Sequence, residues 1–428
     1  MIIHTVSPGE SVWSISRIYG VNPNRIVEVN QLPDPSRLLI GQSLLVPRDR
    51  PATHMVQPGE NLWVLAQRFG TTVQAIAEAN QIVDPALIFP GMVLTIPPRP
   101  RPTIEANAYV QRLDAVGLNA VEETGQYLTY LSLFSYEVRE DGTLAPLADE
   151  AIIAAARARG AAPLMVITNI VAGEDFSPDL ARAILGNVEV QEALITNILA
   201  TMEARGFTGV NVDFEYVYPA DRELYNDFLR RVVARLRPAG YTISSAVAPK
   251  VRADQVGLLY EAHDYPVHGE LLDFVIIMTY EWGWIGGPPM AVSPVNQMRR
   301  VLDYAVTAIP RAKIMMGMPL YGYDWTLPFV AGETRATTLS PQGALARAIQ
   351  YNAAIEYDPI AEAPFYGYYD EQGREHIVWF EDARSVQAKF DLVREYNLRG
   401  VSYWVLGLPF PQNWPLLADN FEIRKIIG

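Results

Sequence analysis

Three polar side chains alternate with apolar residues near the middle of the chain: Asn211, Asp213 and Glu215. In an extended strand, residues two apart project to one face, about 6.6 Å per step. Unpaired polar groups are costly in an apolar interior, so we expect this run at a rim where water or a substrate meets it. A structural carboxylate pair is the alternative, but the run contains no Lys or Arg to neutralise it. Adjacent carboxylates at a rim favour general acid–base chemistry.

The elements that must position this run begin at about residue 103, where short apolar segments alternate with amphipathic helical segments. The predicted strands are Ala108–Val110, Leu128–Phe134, Leu164–Thr168, Gly209–Phe214, Thr242–Val247, Phe274–Met278, Ile314–Met318 and Gly400–Trp404. Eight apolar strands with helical crossovers predict an α/β fold, a (β/α)8 or TIM barrel, whose chemistry sits at the carboxyl ends of the strands. The long interval between strands 7 and 8 predicts a small α+β insertion at about residues 324–385.

The first hundred residues contain a repeat with an offset of fifty positions. His4, Val6, Pro8, Gly9, Glu10 and Trp13 recur as His54, Val56, Pro58, Gly59, Glu60 and Trp63. Each copy predicts a strand, a Pro-Gly turn, two short helices and a closing strand, in the order βααβ. This unit resembles the LysM module, through its H-x-V-x-P-G-E-x-x-W opening and its G-Q/M-x-L-x-V/I-P close.

The resemblance to LysM implies binding of N-acetylglucosamine polymers such as peptidoglycan or chitin. The implied binding loops are Gly9, Glu10, Ser11 and Ile40 in the first module and Gly59, Glu60, Asn61 and Phe89 in the second. Trp13, Trp63, Asn30 and Asn80 are expected to be core and turn residues. The predicted domains are 1–48 and 52–98 for the modules, 99–102 for a Pro-rich linker and 103–428 for the barrel. Two modules in tandem gain affinity on a polymer because the second contact is intramolecular.

The strand around Asp213 resembles the D-G-x-D-x-D-x-E signature of family 18 glycoside hydrolases. Met278–Glu281, Gly317–Gly322 and Gly400–Trp404 resemble the ends of strands 6, 7 and 8 in that family. The variant G-V-N-V-D-F-E and the preceding modules resemble its branch of bacterial spore cortex-lytic and germination glycosidases. Three residues depart from the family pattern, each standing where the family has Asp: Thr208, Asn211 and Glu281.

Asp213 and Glu215 lie side by side on one strand. This arrangement is poorly suited to two carboxylates that must flank a sugar bond. A substrate whose own 2-acetamido oxygen attacks C1 removes this difficulty, as in the substrate-assisted route of family 18. The resemblance then implies that Glu215 is the general acid and base, that Asp213 accepts from the acetamido N–H, and that Tyr280 fixes the acetamido oxygen. Asn211 is expected to donate an amide N–H to Asp213, so that Asp213 ionises at lower pH than beside a carboxylate. The implied substrate-binding residues are Glu281, Trp404, Met278, Tyr321, Asn169, Tyr109, Phe134 and Trp282.

The composition of the chain narrows the classes of partner, cofactor and location that we expect. A net charge of −14 disfavours nucleic acid and anionic membranes as partners. The chain has no cysteine, and its five histidines lack ligand spacing, so we expect no metal and no cofactor. No apolar run approaches the ~18 residues of a membrane span, and no Sec-type signal peptide is visible. We expect a monomer located in the spore, in the coat or cortex region.

Together these patterns predict a retaining glycosidase that cleaves β-1,4 bonds after N-acetylglucosamine in peptidoglycan, in fragments of the spore cortex. A chitinase is one alternative, since chitin offers the same acetamido group. A catalytically inactive glycan-binding protein of the spore coat is the other. The presence of both Asp213 and Glu215 favours an enzyme over the inactive protein.

Overall fold

The computed structural model describes residues 1–47, 52–69, 71–97 and 101–427. The chain divides into two compact units, Met1–Thr103 with Pro411–Glu422, and Ile104–Phe410 with the residues after Glu422. Residues 99 and 100 of the predicted linker, and the predicted module ends at 48 and 98, lie outside the described residues.

Two modules with the same element order make up most of the first unit. The first consists of β1 (Ile2–Thr5), α1 (Val12–Tyr19), α2 (Pro23–Asn30) and β2 (Ser43–Val46). The second consists of β3 (Ala52–Met55), α3 (Leu62–Phe69), α4 (Val73–Ala79) and β4 (Val93–Ile96). In each module the two strands pair antiparallel, β1 with β2 and β3 with β4. The predicted βααβ order is therefore confirmed in both copies.

An asparagine at the end of the second helix ties each module together. The Asn30 amide donates to the carbonyls of Ile26 and Leu45, at 2.7 and 2.8 Å, and its Oδ1 accepts from the Leu45 N–H at 2.8 Å. Asn80 makes the same three bonds in the second module. These bonds join the helix end to the closing strand, so the expectation of a structural role for both asparagines is confirmed.

The expectation of a core position for the paired tryptophans is wrong. Trp13 is 67% exposed and Trp63 is 64% exposed. Each is the second residue of its helix, whereas the core of the first module takes Val12 and Ile15 from α1. At 3.6 residues per turn, the position after Val12 lies off the stripe that faces the core. Both aromatic rings are therefore presented to solvent.

The second unit is built on the parallel barrel. Its first half consists of β5 (Thr103–Val110), α5 (Ala115–Thr124), β6 (Tyr130–Glu137), α6 (Glu150–Ala158), β7 (Ala162–Thr168), α7 (Pro178–Leu185), α8 (Val188–Arg205), β8 (Gly209–Asp213) and α9 (Arg222–Leu236). It continues with β9 (Thr242–Val247), α10 (Tyr265–Leu271), β10 (Phe274–Ile277), α11 (Val295–Ala308) and β11 (Ile314–Pro319).

The interval after β11 forms a separate antiparallel sheet. Its elements are β12 (Gly322–Thr326), β13 (Thr337–Leu339), α12 (Pro341–Tyr351), β14 (Glu356–Asp358), β15 (Ala363–Tyr369) and β16 (Glu375–Trp379). Within this described segment the strand order is β13-β12-β16-β15-β14. The chain then returns through α13 (Ala383–Tyr396) to β17 (Gly400–Trp404), and it ends with α14 (Asn413–Asn420) and β18 (Glu422–Ile423).

Barrel closure follows from the strand order β17-β11-β10-β9-β8-β7-β6-β5 and from the further pairing of β17 with β5. Each of these pairings is parallel, so within the described residues eight strands close a ring. The strands are buried on both faces, as β7 shows with all seven residues buried. The predicted (β/α)8 barrel is confirmed.

Residues Pro411–Glu422, which carry α14, group with the modules rather than with the second unit. The Gln412 amide donates to Asn30 Oδ1 at 2.7 Å and to the Ser43 carbonyl at 2.8 Å. None of the helices among the described residues combines the length and the apolar character needed to cross a membrane.

Candidate active site

Asn211 lies inside the barrel on β8, held between two neighbouring strands. Its Oδ1 accepts from the Tyr109 hydroxyl of β5 at 2.9 Å, and its amide donates to Ser244 Oγ of β9 at 2.9 Å. Because these neighbours use its polar atoms, the expected amide bond from Asn211 to Asp213 is absent among the described residues. That expectation is corrected here: Asn211 anchors Tyr109 and Ser244 instead.

Asp213 is the last residue of β8 and is only 4% exposed. Its Oδ1 has no hydrogen-bond partner among the described residues. Burial disfavours the charged carboxylate and raises the pKa of Asp213 to about 7. The expectation that Asp213 ionises at lower pH here than beside a carboxylate at position 211 stays a prediction. This unused, buried oxygen can accept a hydrogen bond from water or from a ligand.

Glu215 follows β8 by two residues, and its backbone is fixed by Asn169 at the end of β7. Asn169 Oδ1 accepts from the Glu215 N–H at 2.9 Å, and its amide donates to the Glu215 carbonyl at 2.8 Å and to the Ser177 carbonyl at 2.9 Å. Asn169 is fully buried. The structure thus places this predicted substrate-binding residue behind the acid, where it positions the Glu215 backbone.

Burial raises the pKa values of Asp213 and Glu215 to different extents. Burial raises the pKa of Glu215 well above its usual range, and the charges of Asp213, Asp175 and Glu281 raise it further. Asp213, with a pKa of about 7, is therefore the member of the pair that loses its proton first. An ionised Asp213 beside a protonated Glu215 is the state that a general acid with a neighbouring anionic stabiliser requires.

His263 is a further site residue, which no motif or spacing in the sequence predicts. Its Nδ1 accepts from the Ala248 N–H at 2.9 Å, so its Nε2 carries the proton and donates to the Phe214 carbonyl at 3.0 Å. Phe214 separates Asp213 from Glu215, so His263 holds the peptide between the two carboxyls. Burial lowers the pKa of His263 to about 4 and keeps this ring neutral.

Tyr280 and Glu281 follow β10 at the same rim. A Cβ on Gly317 of β11 would lie 2.8 Å from Cε1 of Tyr280, so the close packing of this ring requires glycine there. Glu281 has a φ of +67°, in the left-handed region. Its carboxylate accepts hydrogen bonds from the hydroxyls of Tyr321 and Tyr323. This Tyr–Glu–Tyr arrangement fixes Glu281 at a backbone geometry that is costly for a residue other than glycine.

Aromatic rings form the opposite part of the rim. Trp404, at the end of β17, packs edge-on against Tyr109 and Phe134, with ring centroids 5.4 and 4.9 Å apart. Tyr109 and Phe134 are buried, whereas Trp404 is half-buried. The two predicted contacts Tyr109 and Phe134 therefore pack against Trp404 and orient its ring, whose other part stays exposed at the rim.

The remaining predicted contacts occupy different depths of the rim. Met278 and Trp282 are half-buried, and Tyr321 is buried with its hydroxyl on Glu281. No group of three or more His, Cys, Asp or Glu side chains in the described ranges is arranged to hold a metal ion.

The predicted loops of the modules use their polar atoms internally. Glu10 accepts from His4 Nε2 at 2.8 Å and from the Ser7 N–H at 2.7 Å, and Glu60 makes the equivalent bonds with His54 and Gln57. The hydrogen bonds from Ser7 and His4 lower the pKa of Glu10.

Other predicted loop residues cap helices or shape the turns. Ser11 caps α1 by accepting from the Ser14 N–H, and Asn61 accepts from the Val64 N–H. Gly9 and Gly59 adopt φ of +81° and +84°, which only glycine adopts readily. Ile40 and Phe89 are exposed. The structure thus presents apolar side chains at these loops, with the carboxylates turned inward.

Comparison with known proteins decides the family of the second unit. Residues 114–408 match the model of glycosyl hydrolases family 18, and residues 4–47 and 54–97 each match the LysM domain. The chain belongs to family 18 of the glycosyl hydrolases. It is a glycosidase with two LysM modules at its amino-terminal side.

This family 18 chain resembles characterised members over its full length. It is 51% identical to the cortical fragment-lytic enzyme of Bacillus subtilis (strain 168), across 99% of both chains. The crystal structure of the spore cortex-lytic enzyme SleL of Bacillus cereus matches with 44% identity and a TM-score of 0.89, over 99% of this chain and 98% of that one. SleL of Bacillus megaterium QM B1551 matches equally broadly, with 44% identity and a TM-score of 0.87.

Proposed function

We propose that this glycosidase cleaves the β-1,4 bond after N-acetylglucosamine in peptidoglycan, in fragments of the bacterial spore cortex. Its similarity to cortical fragment-lytic and spore cortex-lytic enzymes over 99% of the chain supports this substrate. We propose the same location for it, the cortex or coat region of the spore, and a monomeric state.

One observation carries the catalytic part of the proposal: the buried Asp213 Oδ1 that has no donor among the described residues. An acetamido group beside C1 of the substrate supplies an N–H for this oxygen and an amide oxygen for the reaction. The N–H bond also stabilises ionised Asp213, because a donor to the charged form lowers a raised pKa. Binding of N-acetylglucosamine thus supplies the hydrogen-bond donor that Asp213 lacks and favours its ionised form beside protonated Glu215.

The proposed reaction proceeds in two balanced steps. In the first, the acetamido oxygen attacks C1, the bond from C1 to the leaving oxygen breaks, and Glu215 transfers its proton to that oxygen. The product is an oxazolinium cation, which ionised Asp213 stabilises through the former amide N–H. In the second, Glu215 takes a proton from water, the hydroxide attacks C1, and the ring opens to restore the acetamido group. Two inversions at C1 give net retention.

Tyr280 and Trp404 prepare the substrate for these steps. We propose that the Tyr280 hydroxyl donates to the acetamido oxygen and that the Trp404 ring lies under the sugar. Gly317 allows the position of Tyr280, and Tyr109 and Phe134 orient Trp404. Asn169 and His263 fix the peptides of Glu215 and Phe214. Such positioning holds the acetamido oxygen and the acid in the geometry that the attack on C1 requires, which is a source of rate enhancement.

We propose that the LysM modules hold the enzyme on the glycan. The exposed rings of Trp13 and Trp63 and the exposed Ile40 and Phe89 offer apolar surface for the faces of sugar rings. Two modules on one chain raise the effective concentration of the barrel along a polymer.

Chitin contains the same acetamido group at C2, so a chitinase is the second candidate. Mass spectrometry of products from purified spore cortex peptidoglycan and from chitin tests both. The proposal expects N-acetylglucosamine at the new reducing ends of cortex fragments, at a rate well above that on chitin. Faster cleavage of chitin would support a chitinase, and cleavage of neither would support an inactive glycan-binding protein.

A further inference from the structure

A cleft of about 390 Å³ opens beside the catalytic rim. It is formed by the segment after β9, which contributes Arg252, Gln255 and Tyr260, by Trp282 after β10, and by Gln297 and Arg300 of α11. Tyr280 and Glu281 line the same cleft, so it is continuous with the catalytic residues. Its volume lies in the range of ligand-binding clefts.

The cleft adjoins the rim that carries the catalytic acid, because Tyr280 and Glu281 belong to both. The electrostatics agree with this position: after burial and the charges of Asp213 and Asp175, the charge of Glu281 contributes to the raised pKa of Glu215. Burial with the charges of Glu215, Asp175, Tyr260 and Glu281 raises the pKa of Tyr216, the residue that follows the acid. In the proposed reaction Glu215 contacts the leaving oxygen, so the sugar that departs occupies this side.

Hydrogen-bond donors dominate the polar groups of the cleft. Gln255 Oε1 accepts from the Val251 N–H at 2.8 Å, and Gln297 Oε1 accepts from Arg300 Nη1 at 2.9 Å. Both amides therefore have their oxygens occupied, which leaves their NH₂ groups as donors without a partner among the described residues. The carboxylate in the lining is Glu281, whose Oε1 already accepts from Tyr321 and Tyr323.

Two guanidinium groups complete this donor set. Arg300 makes no ion pair with any residue in the described ranges, and Arg252 pairs with the highly exposed Asp254 at 3.2 Å. Arginine presents five donors in a planar fork that matches a carboxylate. A chain with a net charge of −14 repels anions at long range. Arg300, which lacks an ion pair among the described residues, is therefore a local feature suited to an anionic group.

We propose that this cleft is a subsite for the leaving sugar and that Arg300, with Arg252, binds a carboxylate carried by that sugar. The inference rests on the proposed function, because the sugar linked after N-acetylglucosamine in peptidoglycan bears a 3-O-lactyl carboxyl group, free or extended by a stem peptide. Chitin has no such group. The subsite thus selects peptidoglycan over chitin at the bond being cleaved.

The test compares kcat and KM of Arg300→Gln with those of the wild-type chain on three soluble substrates. These are N-acetylglucosaminyl-N-acetylmuramic acid with a free lactyl carboxylate, the same disaccharide with a stem peptide, and a neutral N-acetylglucosamine oligomer. We expect kcat/KM to fall about threefold to tenfold on a carboxylate substrate, mainly through KM, and to stay unchanged on the oligomer. The loss should shrink at 1 M salt, which screens exposed charges. Arg252→Gln should act in the same direction.

Arg230→Gln is the matched control, because Arg230 is an exposed arginine of α9 paired with Asp227. It changes the net charge equally and should leave all three substrates unaffected. A loss on the lactyl disaccharide identifies the lactyl carboxylate as the ligand, and a loss restricted to the stem-peptide substrate identifies a peptide carboxylate.

Equal losses on the neutral oligomer, or no loss on either disaccharide, would overturn the subsite while leaving the proposed function intact. A wild-type chain that cleaves neither disaccharide would overturn the proposed function, and the subsite with it.

Discussion

The barrel rim and the LysM modules both present surfaces suited to N-acetylglucosamine, yet they treat polar groups in opposite ways. At the rim, Asp213 is buried with an unused oxygen and a pKa raised to about 7. In the modules, Glu10 and Glu60 are bonded within their own turns, and the exposed groups are apolar, with Trp13 and Trp63 foremost.

This difference suits the rim to catalysis and the modules to binding. An unsatisfied buried carboxyl is costly, and the cost is recovered when a substrate supplies its donor, so the group responds to one position of one ligand. Exposed aromatic surface costs little and accepts any sugar face, so it gives weak contacts that gain by repetition. At the rim, Asn169 and His263 accordingly fix the backbone beside the two carboxyls. The modules need no such fixed polar groups, only a stable fold that presents their aromatic rings.

The largest effect is expected for Glu215→Gln. Removing a positioned general acid and base should lower kcat by about 10²- to 10⁴-fold on soluble fragments. Retention on insoluble cortex should stay at the wild-type level, because the modules are untouched. The measurement is steady-state cleavage of soluble fragments together with a pull-down, with Glu333→Gln of the same unit as control. Near-normal turnover would remove Glu215 from the catalytic role.

Asn169→Ala should have the next largest effect. It removes the three bonds that fix the Glu215 backbone and the Ser177 carbonyl, so kcat should fall by about 10- to 100-fold with little change in KM. Buried partners left without bonds should also cost about 1–3 kcal/mol of unfolding free energy. Kinetics and thermal unfolding measure the two effects. A rise in KM at unchanged kcat would instead indicate that Asn169 contacts the substrate.

Two buried histidines should each contribute an acid-sensitive component to the stability of the barrel. Burial lowers the pKa values of His263 and His268, to about 4 and about 3. Because each histidine protonates near pH 6.5 in the unfolded chain and not in the folded chain, its contribution to stability is full above that pH and falls as the pH drops toward 4. Each buried histidine should contribute about 3 kcal/mol to this loss. The raised pKa values of Asp213 and Glu215 act in the opposite direction over this range, since the folded carboxyls keep protons that the unfolded chain has lost.

The module carboxylate Glu10 behaves differently. Its lowered pKa contributes stability above about pH 4.5, which is lost as the pH falls further. The histidine contribution is therefore measured as a difference: between pH 7 and 4 the unfolding midpoint of His263→Gln should rise relative to that of the wild-type chain. A difference in midpoint that stays constant down to pH 4 would contradict the neutral, buried assignment of His263.

The smallest effect is expected for Trp13→Ala combined with Trp63→Ala. Retention on insoluble cortex should weaken by about three- to tenfold, since stacking on one ring contributes roughly 0.5–1.5 kcal/mol. Cleavage of soluble fragments should not change. Val83→Ala removes another exposed apolar group of the second module and serves as the control. Unchanged retention in the double variant would move the binding surface away from the tryptophans.

The sequence predicted the barrel, the repeat and the strands near the rim closely, because each rests on a local pattern. β9 and β17 begin and end at the predicted residues, and β8 ends one residue early, at Asp213. The predicted boundaries at 98 and 103 stay predictions. So do the roles assigned to Glu215, Asp213 and Tyr280, which rest on the family resemblance and the geometry.

The sequence could not predict hydrogen bonds between residues that are far apart in the chain. The bond from Tyr109 to Asn211 joins residues 102 positions apart, and His263 reaches Phe214 across 49 positions. Neither hydrogen bond is associated with a periodic pattern or a motif in the sequence. The tryptophans of the modules were misjudged for another reason: residue type favours a core position, whereas their register on α1 and α3 turns them to solvent.

The central claim is that the substrate's acetamido oxygen, positioned by Asp213 and Tyr280, attacks C1. The most direct measurement is kcat for a series of soluble substrates whose N-acetyl group carries zero, one, two or three fluorine atoms. Each fluorine weakens the amide oxygen as a nucleophile and leaves the rest of the sugar in place. If the acetamido oxygen attacks C1, kcat falls steeply with every fluorine added. A kcat that stays constant across the series would contradict this attack and would require a nucleophile from the protein.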